Sequence, residues 1–207
     1  MKIAFLHAKQ DSTCARIMLG SARRQMPNAE IIQMTDMDEP PLDGVDTVLR
    51  MPWDGTKDDA TKWRLRHLER IDGDVISADT DIVFRRDVSK VFDWDFDIAI
   101  ARRDGPIMTP DGRDLTKIMA FNSGIMWCRN NAVWKRCLQW LAKHDDIGWY
   151  SDQMAVNMVL PEFHVLKLHA DNFNYSPSRI GENLSRRYVV HYKGKRKPWM
   201  KEDFPDA

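Results

Sequence analysis

The stretch Val75-Ile76-Ser77-Ala78-Asp79-Thr80-Asp81-Ile82-Val83-Phe84 joins two apolar runs of strand type through Asp-x-Asp. A short buried strand that ends this way carries its carboxylates to the rim of a sheet. In extended backbone, residues i and i+2 point to the same side, so the pattern predicts that Asp79 and Asp81 present their oxygens to one point. Two hard anionic oxygens at a strand end suit Mg²⁺ or Mn²⁺ carrying a substrate phosphate. Taken alone, Asp-x-Asp fits a solvated turn equally well, so its meaning depends on the rest of the chain.

Upstream, Lys2 to His7 reads as a first buried strand, followed by a helix from about Cys14 to Met26 that Ser12 can cap. Glu30 to Met34 and Thr47 to Met51 read as strands, with loop between them. Lys57 to Arg70 reads as a helix, with Ala60, Trp63, Arg64, His67, Leu68 and Ile71 on one largely apolar face. Downstream, Asp87 to Phe92 reads as one helical turn and Asp97 to Ala101 as a strand. Arg102 to Ala120 holds Gly105-Pro106, Pro110 and Asp111-Gly112 and reads as a long excursion of the kind that carries substrate. Phe121-Asn122-Ser123-Gly124 then leads into a strand at Ile125 to Cys128. Two helices follow, one capped by Asn130 or Asn131 and one by Ser151, and Phe163 to Leu168 and Tyr188 to Tyr192 are further strands. This alternation predicts an α/β fold, a mixed and mostly parallel sheet flanked by helices in a single domain. Ligands of such sheets gather at the carboxyl ends of strands, where Asp79 and Asp81 fall.

The totals narrow the function classes. The 207 residues are 43% hydrophobic and 30% charged, enough for one domain with a real core. Lys+Arg and Asp+Glu each total 31, which argues against bulk nucleic acid or an anionic membrane as main partner. Trp53, Trp94, Trp134, Trp140 and Trp149 lack the basic-aromatic interleaving of a nucleic-acid surface and read mostly as core. Positive charge instead crowds the end of the chain, at Arg186, Arg187, Lys193, Lys195, Arg196, Lys197 and Lys201. Cys14, Cys128 and Cys137 form no framework or metal spacing, so reduced thiols and a cytoplasmic location are expected. The apolar run at Met1 to His7 is too short for a signal peptide, and no run approaches membrane-spanning length.

Three further stretches carry polar groups in places that could serve chemistry. Phe121-Asn122-Ser123-Gly124 sets an amide and a close-packing glycine where a loop meets a strand. Ser151-Asp152-Gln153 opens a helix, where a plain capping role is also possible. His191-Tyr192-Lys193-Gly194-Lys195-Arg196-Lys197-Pro198-Trp199 offers an imidazole at a strand end, then a glycine and cations that could wrap a diphosphate, or else a basic solvated tail.

In this order and wording the stretches resemble glycosyltransferase family 8, the family of glycogenin and of bacterial lipopolysaccharide galactosyl- and glucosyltransferases. The matching residues are Thr61-Lys62-Trp63, Ala78-Asp79-Thr80-Asp81-Ile82-Val83, Phe121-Asn122-Ser123-Gly124-Ile125, Asp152-Gln153 with Asn157, and the closing His191-x-x-Gly194-x-x-Lys197-Pro198-Trp199. The last is the most specific of them. The resemblance implies a GT-A fold, a UDP-sugar donor, Mn²⁺ or Mg²⁺, and transfer of a hexose with retention to a glycan, lipid or protein acceptor. By position it implies Asp79, Asp81 and His191 as metal ligands, and Lys62, Thr80, Gly194 and Lys197 around the donor diphosphate. Asn122, Asp152 and Gln153 would line the sugar pocket, with Gln153 stabilising an oxocarbenium-like path, since a neutral amide is a poor nucleophile. Residues 3–11 would hold the uridine, through His7, Ala8, Lys9 or Asp11. Residues 1–101 would then form the nucleotide-binding part and residues 102–207 the acceptor, sugar and diphosphate part.

The chain departs from the family at two points. Leu6-His7-Ala8-Lys9-Gln10-Asp11 is an unusual start for the nucleotide site, and Arg102-Arg103 stands where some members place an acid for the sugar hydroxyls. Two other functions compete. One is a non-catalytic nucleotide-sugar or glycan-binding domain on the same fold. The other is a haloacid-dehalogenase-type phosphatase, which carries Asp-x-Asp on its first strand rather than after several elements.

Overall fold

The computed structural model describes residues 1–53, 57–103, 105–109, 111–144, 148 and 150–204. Val75–Ala78 (β4), buried along its whole length, lies at the middle of a seven-stranded sheet. Lys2–Leu6 (β1), Glu30–Thr35 (β2) and Thr47–Arg50 (β3) extend the sheet on one side. Phe121–Cys128 (β7), Ile98–Arg102 (β6) and Val165–Leu168 (β8) extend it on the other, giving the order β3-β2-β1-β4-β7-β6-β8. All pairings are parallel except those of β7, which runs against both β4 and β6. The α/β class with a mostly parallel sheet is therefore as predicted.

Side-chain alternation along the strands builds two cores. Ile3 and Phe5 join one, together with Thr13–Gln25 (α1), while Ala4 between them joins the other. The first core also takes a small antiparallel pair, Ile82–Phe84 (β5) with Val189–His191 (β9). The second is covered by Lys57–Leu68 (α2), Ala132–Leu141 (α3) and Ser151–Val159 (α4). Trp127 fills the first core and Trp134 the second, both fully buried. Ala170–Phe173 (α5) and Lys197–Asp203 (α6) complete the chain's helices as described.

Several local expectations are revised. Thr80 and Asp81 form a turn between β4 and β5, while the Asp79 N–H still donates to the Gly124 carbonyl of β7 at 2.7 Å, so the turn, not an unbroken strand, places the second carboxylate. Phe121 to Gly124 do not precede the strand but belong to it. Ser12 stands at the start of α1 without a capping bond; Asp11 Oδ1 accepts the Thr13 N–H at 2.6 Å instead. Ser151 is the first helical residue of α4, and its hydroxyl bonds that of Thr61 at 2.5 Å. Asn131 holds the cap position of α3, while Asn130 Oδ1 accepts the Ala132 N–H at 2.9 Å. The excursion after β6 closes on itself through a bridge between Met108 and Asp114 and a small core of Ile107, Leu115 and Met119. Trp94 is 52% exposed rather than core, and Trp149 lies outside the described residues. The basic end of the chain is packed, not a solvated tail. Gly194–Arg196 makes a 3-10 turn, α6 follows, Met200 is fully buried, and the Tyr192 hydroxyl donates to Asp203 Oδ2 at 2.7 Å.

Candidate active site

The pairing of β5 with β9 places His191 opposite Ile82, and the Tyr192 N–H donates to the Asp81 carbonyl at 2.8 Å. This joins the end of the chain to the turn after β4. His191 Nε2 thereby lies 3.0 Å from Asp81 Oδ1 and 3.6 Å from Asp79 Oδ2. One ligand atom from each of the three residues falls within 4.8 Å of the others. Two ligands of one ion, each about 2.1 Å from it, stand no more than about 4.2 Å apart, so slight closure would serve.

The imidazole is held in a fixed orientation. Gly124 N–H and Asn174 Nδ2 both donate to Asn122 Oδ1, at 3.1 and 2.9 Å. Asn174 therefore turns its Oδ1 to His191 Nδ1, 2.8 Å away, so Nδ1 donates there and Nε2 is the nitrogen turned toward the carboxylates, the one that would ligate a cation. Gly124 makes room for the ring: an added Cβ would collide with Cε1 of His191 and sit 2.7 Å from its Nδ1. Two carboxylates, one oriented imidazole and a cradle that excludes a methyl group fit a divalent cation of the Mn²⁺ or Mg²⁺ kind.

Charges around the cluster are paired in a chain. Arg64 of α2 is buried, with Nη1 2.8 Å from Asp79 Oδ1 and 3.6 Å from Asp152 Oδ2. Its Nη2 donates to Ser77 Oγ at 2.9 Å and to the Ser123 carbonyl at 3.2 Å. Lys197 Nζ lies 3.3 Å from Asp81 Oδ2. Burial pushes the Asp79 carboxyl up; Arg64 opposes this and Asp81 adds to it. Burial works against ionisation of Asp81 too, but His191 and Lys197 outweigh it and hold that carboxyl at about 2. Asp152 is pushed up to about 6 by burial, against Arg64 and with the help of Asp79.

Beyond the cluster, α4 meets β7. Asn122 Nδ2 and the Ser123 N–H both donate to Gln153 Oε1, at 3.0 and 3.3 Å, and the Gln153 N–H donates to Asp152 Oδ1 at 2.6 Å. Asn157 latches the two elements, accepting the Phe121 N–H at 2.9 Å and donating to the Phe121 carbonyl at 3.1 Å.

One cavity of about 570 Å³ is lined by Asp79, Thr80, Asp81, Asn122, Asp152, Gln153, His191, Gly194 and Lys197, which brings together most of the residues singled out from sequence. Lys62 is not among its lining; Arg64 is the cation that α2 puts there. Residues two apart on a helix stand about 200° around its axis, so only one of them can face the site. Of residues 3–11, Leu6 and Gln10 line the cavity, whereas His7, Ala8, Lys9 and Asp11, the four named for the uridine, do not. His7 instead faces Glu39 at 3.6 Å, and Lys9, held at φ 51°, gives its N–H to Glu39 and its Nζ to Asp36. Arg64, Asn174 and Tyr150 were missed. Arg64 hid in an apolar helix face, and Asn174 in an unremarkable segment whose one signal is a polar residue between aromatics, Phe173 and Tyr175.

A sheet of this order, with a carboxylate–carboxylate–imidazole cluster after its central strand, is the GT-A fold of a glycosyltransferase. The profile of the nucleotide-diphospho-sugar transferases matches residues 61–197. The chain therefore belongs to that family, in agreement with its resemblance to glycosyltransferase family 8. No curated protein matches the sequence. Among solved structures, galactosyltransferase LgtC in complex with donor and acceptor sugar analogs is similar at a TM-score of 0.63 and 19% identity, over 96% of this chain and 89% of that one. The apo form of glycosyltransferase GlyE from Streptococcus pneumoniae is similar at a TM-score of 0.68 and 15% identity, over 98% of this chain and 59% of that one.

Proposed function

We propose that the protein transfers a hexosyl group from a UDP-sugar to an acceptor, with retention at the anomeric carbon and with Mn²⁺ at Asp79, Asp81 and His191. The observation that carries this reading is the oriented imidazole beside two carboxylates, in one cavity with Lys197 and the Asn122–Gln153 pair. When bound, the cation supplies Lewis-acid stabilisation of the departing nucleoside diphosphate. Lys197 and the exposed backbone of Gly194 hold the diphosphate and meet the charge that grows on it as the glycosidic bond breaks. Thr80, in the turn between the two carboxylates, lines the same cavity and would meet the donor diphosphate. Arg64 keeps Asp79 and Asp152 aligned, and Lys62, two residues before it, would serve the diphosphate and sugar. Gln153 Oε1, fixed by two donors, presents its dipole to the sugar as positive charge develops, and Asn122 and Asp152 hold the sugar in place. A glycan, lipid or protein acceptor enters over residues 102–207, while residues 1–101 hold the nucleotide. None of the three cysteines is paired, in keeping with a cytoplasmic enzyme. No helix among the described residues is long and apolar enough to cross a membrane.

The test is UDP release and product formation from a set of UDP-sugars with and without Mn²⁺, with the anomeric configuration of the product read by NMR. Asp79→Ala and His191→Ala should each remove Mn²⁺-dependent turnover while the chain keeps its cooperative melt. Tight UDP–Mn²⁺ binding with no turnover on any donor or acceptor would instead favour a binding domain on this fold.

A further inference from the structure

Asn174 is fully buried, although it is polar and lies between two aromatic residues, Phe173 and Tyr175. Its backbone is fixed on both sides. Phe173 packs edge-on against Trp127 and Tyr188, with ring centroids 5.9 and 5.2 Å apart. The Asn174 N–H donates to the Ala170 carbonyl at 2.9 Å, and the Tyr175 carbonyl accepts the His191 N–H of β9 at 2.7 Å. A buried amide needs partners for its oxygen and for its nitrogen. Asn174 has both: Oδ1 accepts from His191 Nδ1 at 2.8 Å, and Nδ2 donates to Asn122 Oδ1 at 2.9 Å.

These two bonds belong to a longer line, because Asn122 Nδ2 donates onward to Gln153 Oε1 at 3.0 Å. Two backbone groups that can only donate set its direction. They are the Gly124 N–H, 3.1 Å from Asn122 Oδ1, and the Ser123 N–H, 3.3 Å from Gln153 Oε1. With both of those oxygens marked as acceptors, Asn122 gives its Nδ2 to Gln153 and Asn174 gives its Nδ2 to Asn122, which leaves Asn174 Oδ1 for the imidazole. His191, Asn174, Asn122 and Gln153 thus pass hydrogen bonds in one sense, from the cation cluster to the sugar end of the cavity. All four side chains belong to buried residues, so water competes little for these groups, and bonds aligned head to tail polarise one another. A cation held at His191 Nε2 withdraws density from the ring and makes its Nδ1–H a stronger donor, which tightens each amide bond as far as Gln153.

We propose that Asn174 is a positioning residue that fixes His191 for the cation and couples the cation site to Gln153. The proposal rests on the cation and nucleotide-sugar reading above, and adds to it a residue that does not line the cavity. Calorimetric titration of the full chain tests it, first with Mn²⁺ alone, then with UDP, UDP-glucose and UDP-galactose in saturating Mn²⁺. Asn174→Leu keeps the volume and removes both bonds, and should weaken Mn²⁺ about tenfold or more, the usual scale for the partner of a metal-ligating histidine. Asn174→Asp keeps an acceptor for His191 Nδ1 but loses the donor to Asn122. It should bind Mn²⁺ at least as tightly as the unaltered chain, yet lose the added affinity that a UDP-sugar has over UDP. If Asn174→Leu gives no cooperative melt, Asn174→Asp carries the test by itself. Unchanged Mn²⁺ affinity in a folded Asn174→Leu variant overturns the proposal. So does an Asn174→Asp variant that loses Mn²⁺ affinity, the mark of a structural role, or one that keeps the full preference for a UDP-sugar. UDP-sugars that bind the unaltered chain no tighter than UDP overturn the coupling as well. In each of these cases the unaltered chain still binds Mn²⁺ and UDP, so this inference falls alone; failure of that chain to bind either one sinks the nucleotide-sugar reading together with it.

Discussion

Gly124 shows how narrowly single residues define the site. Its Cα faces the His191 ring so closely that a methyl group would meet Cε1, Nδ1 and the Asn122 Oδ1 that orients the network. His191 is 3% exposed and tethered at Nδ1, so it has little room to yield. Gly124→Ala should cost about 1–3 kcal/mol by overpacking, and, if Mn²⁺ binds as proposed, should also remove the rise in melting temperature expected on adding it. Urea denaturation and thermal melts with and without Mn²⁺ would separate the two effects; an unchanged metal response would show that the ring is not held as described. At this scale the motif residues were legible because their chemistry is unusual for their positions. Arg64 was not, since an arginine at helical spacing among Trp63, His67 and Leu68 reads as part of a packing face until its partners are in place.

The helix α2 carries a second consequence. His67 is fully buried, edge-on to Trp63 with ring centroids 4.6 Å apart, and Trp63 stacks on Trp53 at 5.4 Å. Neither ring nitrogen of His67 has a hydrogen-bond partner among the described residues. Burial, helped by the Arg70 charge, lowers its pKa from 6.5 to about 4. Between these values the unfolded chain binds a proton that the folded chain refuses, so stability is full above pH 6.5 and falls as the pH drops toward 4. The loss should reach about 3 kcal/mol at the acid end of that window. His67→Leu should flatten that part of the stability curve measured by urea denaturation from pH 4 to 7; an unchanged slope would assign it to other groups. The element itself was predictable from its spacing. That its apolar face would bury an unsatisfied imidazole and aim an arginine into the cavity depended on where α3, α4 and β4 came to lie.

Across the whole molecule, the end of the chain closes the site that its middle begins. Met200 of α6 is fully buried in the core that holds α1 and the β5–β9 pair, and the first residue of the same helix is Lys197. Core and site are therefore coupled through one short helix. Met200→Ala should cost about 2–5 kcal/mol in stability. It should also weaken UDP binding several-fold, although residue 200 touches no ligand; calorimetry at a temperature where the variant remains folded would show it. Full UDP affinity in a destabilised variant would argue that Lys197 is held by its own contacts alone. The packing of this segment was not legible from a run of Lys and Arg, because the residues that anchor it, Tyr192, Met200 and Phe204, are spread thinly among charges.

By itself the sequence determined the α/β alternation, the strand that ends in Asp79-Thr80-Asp81 and the polar stretches at Asn122, Asp152 and His191, because periodicity and residue chemistry are local properties of a chain. It did not contain their meeting. Asp79 and His191 are 112 positions apart, and only the antiparallel register of Ile82 with His191 brings imidazole and carboxylates to one point. The tertiary structure likewise decided that Arg64 rather than Lys62 lines the cavity and that Arg103 and Gln153 both reach Met119. Those outcomes depend on the rotation of a helix and the direction of β7, which distant packing sets and local sequence does not.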